Sequence, residues 1–322
     1  MLAVIIPAYN RGNCLREALK SLTLQTKKRF ITIVVDDASQ EDLTPIIDDF
    51  RNELHLVYLK QEQNGGPGLA RKKGLDWCFD HNIELVMFLD SDDLLLPKAI
   101  ERLSKEINVT NSDIIVSKIQ SEDKLHFPIS IVDSQAVWTH GKIYRVSYLR
   151  NIGLNFIDLR TNEDLAFNTA AIFIATEKNT IKFIDEELYL WRYDTNSITR
   201  SAENIKNTTY RLSRDFIYAI KYVIEKLEEQ GYDISLAFQK VVGIYTYVQI
   251  LRILDKYTDE IKKVVQEIYN YPKIQEMIIK QETLKQDNVF LGINQGTYFL
   301  GNKYVYEQNI SDFIYQVTGI KI

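Results

Sequence analysis

Three acidic side chains crowd into four positions at Asp90-Ser91-Asp92-Asp93, directly after the apolar run Leu85 to Leu89. In an extended chain residues two apart point the same way, so Asp90 and Asp92 can face one ligand while Ser91 turns aside. Two carboxylates placed so suit a hard divalent cation, Mg²⁺ or Mn²⁺, which in turn neutralises a diphosphate. The same stretch also reads as a turn and cap before the helical approach Asp92 to Ile100, and on these residues alone the two readings stand level. A second acidic pair, Asp36-Asp37, followed by Ala38-Ser39, ends another apolar run. A carboxylate there can accept a hydrogen bond from a base or ribose, or Asp37 or Ser39 can cap a helix. The run Asn64 to Gly74, NGGPGLARKKG, departs from the dinucleotide fingerprint, because Arg71 stands where the last glycine belongs and the run follows the third apolar stretch, not the first. It offers a loop leading into a helix whose first turns carry Arg71, a cation suited to phosphates or a uracil edge. Lys72 and Lys73 read as a solvated helix face.

These groups need elements to hold them. Leu2 to Ile6, ending at Pro7, is a short continuous apolar run, as is Ile31 to Val35; both read as strands buried on two faces of a parallel sheet. Leu54 to Leu59 and Leu85 to Leu89 add two more. Helices are predicted between them, over Leu15 to Leu22, about 43–52, and Leu69 to Asp80. Strands alternating with helices imply a wound α/β sheet with right-handed crossovers. Ligands of such sheets bind beyond the carboxyl ends of the strands, so Tyr9-Asn10, Asp36-Asp37 and Asp90 to Asp93 are expected to line one crevice. A helix over Glu163 to Thr176 and strands near 114–119 and 186–192 complete this domain, residues 1–200. After Arg200 the stretches 204–230, 235–257, 258–270 and 272–286 carry apolar residues at three- and four-residue spacing, predicting a mostly helical module, residues 201–322. The aromatic and glycine-rich stretch VFLGINQGTYFLGNKYVY suits a hairpin or an oligomer contact.

Composition narrows the classes. With 45% hydrophobic and 26% charged residues among 322, the chain can bury a sizeable core and exceeds what one core usually supports. A net charge of −5 removes the broad attraction that a nucleic-acid binder uses. Cys14 and Cys78 stand outside any CxxC or Cys/His cluster and read as inert core thiols. The opening MLAVIIPAYNRGN lacks a basic n-region, and the apolar runs fall short of a bilayer span. The expected location is cytoplasmic, with at most peripheral association at the inner membrane face. His55, His81, His126 and His140 share no spacing and read as ordinary surface or core residues.

In order along the chain, these motifs resemble the family 2 glycosyltransferases, whose nucleotide-binding domain has the GT-A fold. The resemblance covers about the first 200 residues. VIIPAYN looks like the family's opening strand and uridine-contacting loop, which implicates Pro7, Ala8 and Tyr9. VVDDAS looks like its second motif and carries base binding to Asp36. NGGPGLARKKG is similar to N-x-G-x-x-x-A-R-N-x-G, with Arg71 matched and Lys72 replacing the usual asparagine. FLDSDD matches the DxD element, implying Asp90 on the ribose side and Asp92 on the metal. Gly141 and the EDLAF from Glu163 resemble the segment that bears the catalytic base, here Asp164. LYLWRYDTNSIT resembles the late motif Y-R-x-H-x-x-S-I-S, with Arg192, Ser197 and Ile198 in place and Asp194 where histidine is common.

The resemblance implies a GT-A type wound mixed sheet flanked by helices and followed by the helical module. It implies an inverting, metal-dependent transferase that moves a sugar from a UDP-sugar to a hydroxyl of a glycan, surface polysaccharide or glycoprotein. Glu163, Arg192, Asp194 and Trp138 are candidate diphosphate or acceptor contacts, while Trp77 and Trp191 read as core. The helical module is expected to bind acceptor or to assemble a homo-oligomer. Two other readings compete: a nucleotidyltransferase, which needs a glycine- and lysine-rich phosphate loop that PAYNRGN does not supply, and a catalytically silent nucleotide-binding scaffold.

Overall fold

The computed structural model of the chain describes residues 1–123, 125–131, 138–193, 205–232 and 258–270. The chain divides into two compact units, Met1–Ser201 and Ala202–Ile322.

The first unit is built on a nine-stranded mixed sheet. Its centre is β1 (Leu2–Ala8), flanked in parallel by β2 (Ile31–Asp36) and β4 (Leu85–Phe88). Every residue of these three strands is buried, as continuous apolar runs in a sheet covered on both faces must be. Pro7 is taken into β1 although a proline cannot donate to a ladder. It is tolerated because the β4 pairing runs only from Leu2 to Ile5, leaving Pro7 beyond it. β3 (His55–Lys60) pairs with β2 at one end of the sheet and is half-exposed.

The crossover helices bury the faces their spacing foretells. α1 (Gly12–Thr23) buries Leu15, Ala18, Leu19 and Leu22, each full burial contributing about 1.5–3 kcal/mol for a leucine. α2 (Thr44–Phe50) follows β2, and α3 (Pro67–Asp80) lies so close to β1 that a Cβ on Gly74 would stand 2.6 Å from Ile5 Cγ2.

Beyond β4 the sheet turns mixed, through pieces too short for periodicity to reveal. These are β5 (Leu94–Leu95), β7 (Pro128–Ile131), β8 (Lys142–Arg145) and the six-residue α5 (Val146–Asn151). β8 inserts antiparallel between β4 and β6 (Ile114–Glu122). α4 (Ala99–Thr110) precedes β6, and α6 (Glu163–Glu177) precedes β9 (Ile181–Trp191), which runs parallel to β6 and also pairs with β5. The β6–β9 register slips between Ser117 and Ile119, where Ser117 faces Ile184 but Ile119 faces Tyr189. Such bulges re-aim the residues that follow.

In the second unit α7 (Ile205–Glu229) and α8 (Asp259–Tyr269) match two of the four helical stretches expected; 235–257, 272–286 and the aromatic C-terminal stretch lie outside the described residues. α7 buries Ile217, Ile220, Val223, Ile224 and Leu227, and α8 buries Ile261, Val265 and Ile268. Tyr218 donates to Glu260 at 2.8 Å, and Lys221 pairs with Glu267 at 3.0 Å, tying the two together along their rims. Thr258 caps α8 by accepting from the Ile261 amide. Among the described residues, no helix is long and apolar enough to cross a membrane.

Candidate active site

Parallel pairing brings the carboxyl ends of β1, β2 and β4 to one edge. Ala8 stands opposite Asp36, and the Asp37 amide donates to Ala8 O at 2.8 Å. The two aspartates of that pair then divide their work. Asp36, fully buried, accepts from the Ser39 amide and the Tyr58 hydroxyl, each at 2.8 Å, with Lys60 3.6 Å away. Asp37 grips the glycine loop, accepting from Gly65 N at 2.6 Å, Gly66 N at 2.7 Å and Gln61 Nε2 at 2.6 Å. Burial raises the Asp37 pKa, and those amide bonds oppose the rise. Neither residue caps a helix, since α2 begins only at Thr44.

After β1, Pro7 and Ala8 are buried and Tyr9 is 42% exposed. Asn10 and Arg11 both adopt left-handed backbone, with φ of 50° and 64°. Asn10 holds this turn against the β2 exit: its amide donates to Ser39 Oγ at 2.9 Å and its Oδ1 accepts from Gln40 N at 2.9 Å. Glu41 Oε2 accepts from Gly12 N at 3.0 Å. The turn delivers Arg11 across to Asp92, Nη1 to Oδ2 at 2.9 Å.

The run Asp90 to Asp93 is a turn, closed by Asp93 N donating to Asp90 O at 3.0 Å, but it caps no helix, because α4 starts at Ala99. Each carboxylate has its own partners. Asp90 pairs with Arg71 Nη2 at 2.5 Å and faces His140 Nε2 at 3.2 Å. Burial alone would raise its pKa, yet the charge of Arg71 and the His140 contact outweigh it and hold Asp90 below the usual carboxylate range. Asp93 accepts from the Tyr189 hydroxyl at 2.7 Å and the Arg192 amide at 2.9 Å. Burial, with Asp92 and Asp90 adding their charge, pushes Asp93 well up.

Arg71, read from sequence as a cation for phosphates or a uracil edge, is 4% exposed. Its other Nη holds Glu163 at 2.6 Å, so one guanidinium bridges the tip of β4 and the first turn of α6. It lies 5.8 Å over the ring of Phe156, which stacks on Phe167 at 4.2 Å. Its Nε is buried without a partner. Glu163 and Asp164 sit at the positive end of α6, where acids are favoured. Close approach there demands Gly68, whose added Cβ would stand 2.9 Å from Glu163 Cγ and 3.0 Å from Ile157 O. Asp164 is half-buried; burial first, then the charge of Glu163, push its pKa up to about 7, with Arg71 opposing.

Asp90, Asp93 and His140 offer ligand atoms that all lie within 4.8 Å of one another. His140 Nε2 is 3.2 Å and 3.6 Å from the two carboxylates, near the roughly 3 Å edge of an octahedron with bonds of about 2.1 Å. Two oxygens and an imidazole nitrogen so disposed fit a divalent cation, and His140 Nδ1 is a buried atom without a partner. Nothing in the sequence around His140 distinguishes it from an ordinary surface or core histidine. Its placement depends on β8, whose four residues gave no periodic signal, and on the turn at Gly141, where φ is 65° and a Cβ would stand 2.9 Å from Ser117 Oγ. Buried Lys142 fixes the approach by donating to Trp138 O at 2.6 Å.

Trp138 lies half-buried against Trp191, ring centroids 5.1 Å apart, and His140 stacks on Tyr189 at 4.8 Å. The Arg192 guanidinium turns to Glu17 and Glu122. Asp194, Ser197 and Ile198 lie outside the described residues. Trp77 stacks on His81, the residue just past the end of α3.

The family model described as glycosyl transferase family 2 matches residues 3–158. Poly(ribitol-phosphate) beta-N-acetylglucosaminyltransferase TarS of Staphylococcus aureus is 28% identical over 256 residues, 73% of this chain and 43% of TarS, so the chain spans less than half of that relative. Glycosyltransferase GlyG of Streptococcus pneumoniae is 24% identical over 280 residues, 76% of this chain and 86% of GlyG. Among solved structures, S. aureus TarS 1–349 in complex with UDP superposes with a TM-score of 0.60 at 19% identity, covering 89% of this chain and 92% of that one. A mannosyltransferase from Pyrobaculum calidifontis, in complex with GDP-Man and Mn²⁺, superposes at 0.51 and 12% identity, covering 86% and 84%. The fold is that of the GT-A glycosyltransferases.

Proposed function

We propose, from a chain whose residues 3–158 form a glycosyl transferase family 2 domain, that it transfers a sugar from a UDP-sugar to an acceptor hydroxyl, with inversion at the anomeric carbon. The observation that carries the reading is the Asp90–Arg71–Glu163 bridge, which fixes the β4 tip and the start of α6 on one buried guanidinium. Asp164 is thereby held beside the strand-tip carboxylates that the family resemblance gives to the nucleotide.

Asp164 takes the acceptor proton while the acceptor oxygen forms its bond to the anomeric carbon. The bond from that carbon to the phosphate oxygen breaks, and the electron pair leaves with UDP. A general base works best with a pKa near ambient pH, and burial beside Glu163 raises Asp164 to about 7. In this reading Tyr9, the exposed residue of the β1 exit, meets the uracil, and Asp36 steadies that side through its bonds from Ser39 and Tyr58.

Asp90, Asp93 and His140, with Asp92 beside them, are the residues that would hold a divalent cation. A cation held by these residues would offset the negative charge of the departing diphosphate. A nitrogen in the donor set favours Mn²⁺ over Mg²⁺. Trp138 and Trp191 offer an aromatic flank for acceptor sugar. TarS and its Bacillus spizizenii counterpart, a poly(ribitol-phosphate) beta-glucosyltransferase 26% identical over 237 residues, make a polyol-phosphate surface polymer the acceptor class to try first. The helical unit after residue 201 is assigned to acceptor binding or self-assembly.

The test is UDP release from a panel of UDP-sugars, with and without Mn²⁺, followed by mass analysis of the acceptor. Release with one sugar and a matching mass gain supports the reading. Binding of UDP without turnover of any sugar, given a panel of glycan and polyol-phosphate acceptors, overturns it in favour of the scaffold.

A further inference from the structure

We propose that the Tyr144 hydroxyl, acting through the side-chain amide of Asn168, sets where Asp164 stands beside the strand tips, so that Tyr144 and Asn168 are positioning residues for the acceptor proton transfer. The inference rests on the reading of Asp164 as the base.

α6 carries Asp164 in its first turn, and its apolar packing holds it loosely. The buried side of the helix is mostly small, with Ala166, Ala170, Ala171 and Ala175 beside Phe167 and Ile174. Alanines raise shallow ridges, so apolar contact alone leaves a helix latitude to turn and slide. Polar ties supply what the packing lacks. Arg71 holds the Glu163 carboxylate at 2.6 Å. Asn168 stands five residues further on, about 140° around a helix of 3.6 residues per turn, and it too is tied. A helix held at one point can still pivot; a second point fixes its rotation.

The second tie runs from the middle of the sheet. Tyr144 lies in β8 opposite Val86 of β4 and Ile114 of β6, fully buried, and its hydroxyl donates to Asn168 Oδ1. Asn168 Nδ2 donates in turn to the Asp164 carbonyl at 2.9 Å. The Asp164 carboxylate is fastened to that same turn, since its Oδ1 accepts from the Leu165 amide at 2.8 Å. β4 ends at Phe88 and leads directly to Asp90, so this line of bonds refers the base to the strand that delivers the site's acids. A buried asparagine inside a helix is costly unless its amide is bonded at both ends. Asn168 has no exposed surface and is bonded at both.

A neighbouring tyrosine provides the comparison. Tyr148, in α5, is also buried, and its hydroxyl donates to Ala171 O at 2.5 Å on the same helix. That bond meets α6 about two turns beyond Asp164. Both tyrosines support the helix, but only the Tyr144 line reaches the turn that holds the base.

Turnover of the full chain is measured by UDP release with the UDP-sugar and acceptor that the wild type uses, UDP binding by calorimetry, and folding by the urea midpoint. Tyr144→Phe keeps the ring that packs edge-on against Phe88 and Phe167 and removes the hydroxyl alone. It is expected to lower kcat by about 10- to 100-fold, as a base moved by up to about 1 Å would. Its donor KM and UDP affinity should stay within about 2-fold of wild type. Tyr148→Phe should lower the urea midpoint comparably and leave kcat within about 3-fold of wild type. Asn168→Leu should lower kcat as Tyr144→Phe does. Combining the two replaces both partners of a buried bond by apolar groups, which should recover much of the midpoint but none of the rate.

Tyr144→Phe that keeps wild-type kcat, or that loses kcat and UDP affinity alike, overturns the proposal and leaves the transferase reading intact. Tyr148→Phe losing as much kcat as Tyr144→Phe overturns it too, as does a double variant that regains its rate along with its stability, because either makes Tyr144 an ordinary support of the fold. Asp164→Asn turning over as fast as wild type removes the base reading and this inference with it, and a wild type that releases UDP from no sugar removes both.

Discussion

Asp90 and Asp92 lie two residues apart and each faces an arginine, yet the two pairs differ in what surrounds them. The Arg71 side chain is 5% exposed, sits over aromatic rings, and is shared with Glu163, a residue 92 positions along the chain. Arg11 and Asp92 meet near the surface on a strained turn. Water decides the difference. Asp90 and Asp92 are about equally exposed, at 26% and 28%, so the difference lies in the arginines: removing Arg71 strands buried Glu163, and removing the carboxylates strands Arg71 in a low dielectric. In the exposed pair, solvent screens the attraction and takes up either group when the other departs. One region is therefore suited to fixing geometry and the other to admitting ligand.

That contrast can be broken or sharpened by substitution. The largest effect is expected at the proposed base, which neighbours the buried side. Asp164→Asn is expected to lower kcat by about 10²- to 10⁴-fold while UDP affinity, read by calorimetry, stays close to wild type; comparable loss of both would place Asp164 among the nucleotide contacts instead. Arg71→Met should cost about 3–5 kcal/mol of stability in urea unfolding, because Asp90 and Glu163 lose their shared cation. Arg11→Gln should cost less than about 1 kcal/mol in the same measurement. Equal costs would erase the distinction between the two pairs.

Between these lies His140→Ala, expected to weaken Mn²⁺ binding by about 10- to 100-fold, with the unfolding midpoint as the control for folding. A pH profile gives the gentlest probe. As the proposed base Asp164 would act as its carboxylate, and its pKa is raised to about 7, so kcat should climb with pH up to that value and level off above it. An acid limb centred near the ordinary aspartate range would mean that burial beside Glu163 does not govern the base.

The strand tips were legible from sequence because Leu2 to Ile6, Ile31 to Val35 and Leu85 to Leu89 are unbroken apolar runs that stop at polar residues, and a parallel sheet aligns such stops. The start of α6 at Glu163-Asp164 was legible through the EDLAF run and the apolar spacing that follows it. The roles inside the site were less so. Arg71 was recognised as a residue of interest, but its burial is created by carboxylates 19 and 92 positions away, which no local pattern reveals. His140 carries no local signal, because it stands two residues before a four-residue antiparallel strand without a period of its own, and the pairing of that strand with β4 and β6 brings it to Asp90. The Arg11 contact depends on two left-handed residues, Asn10 and Arg11, that belong to no glycine and so gave no signal.

The slipped register between β6 and β9 has a consequence for the length of the chain itself. Side chains in a strand alternate between faces, and the irregularity between Ile184 and Tyr189 sets which face Tyr189 takes, and with it the hydroxyl that supports Asp93. Deleting or inserting one residue there would swing Tyr189 to the opposite side even with every other amino acid kept. Residue number along this stretch is thus part of the site's specification, and the Asp123–Phe127 hairpin tip, exposed at Leu125 and Phe127, is where the chain has latitude to lengthen.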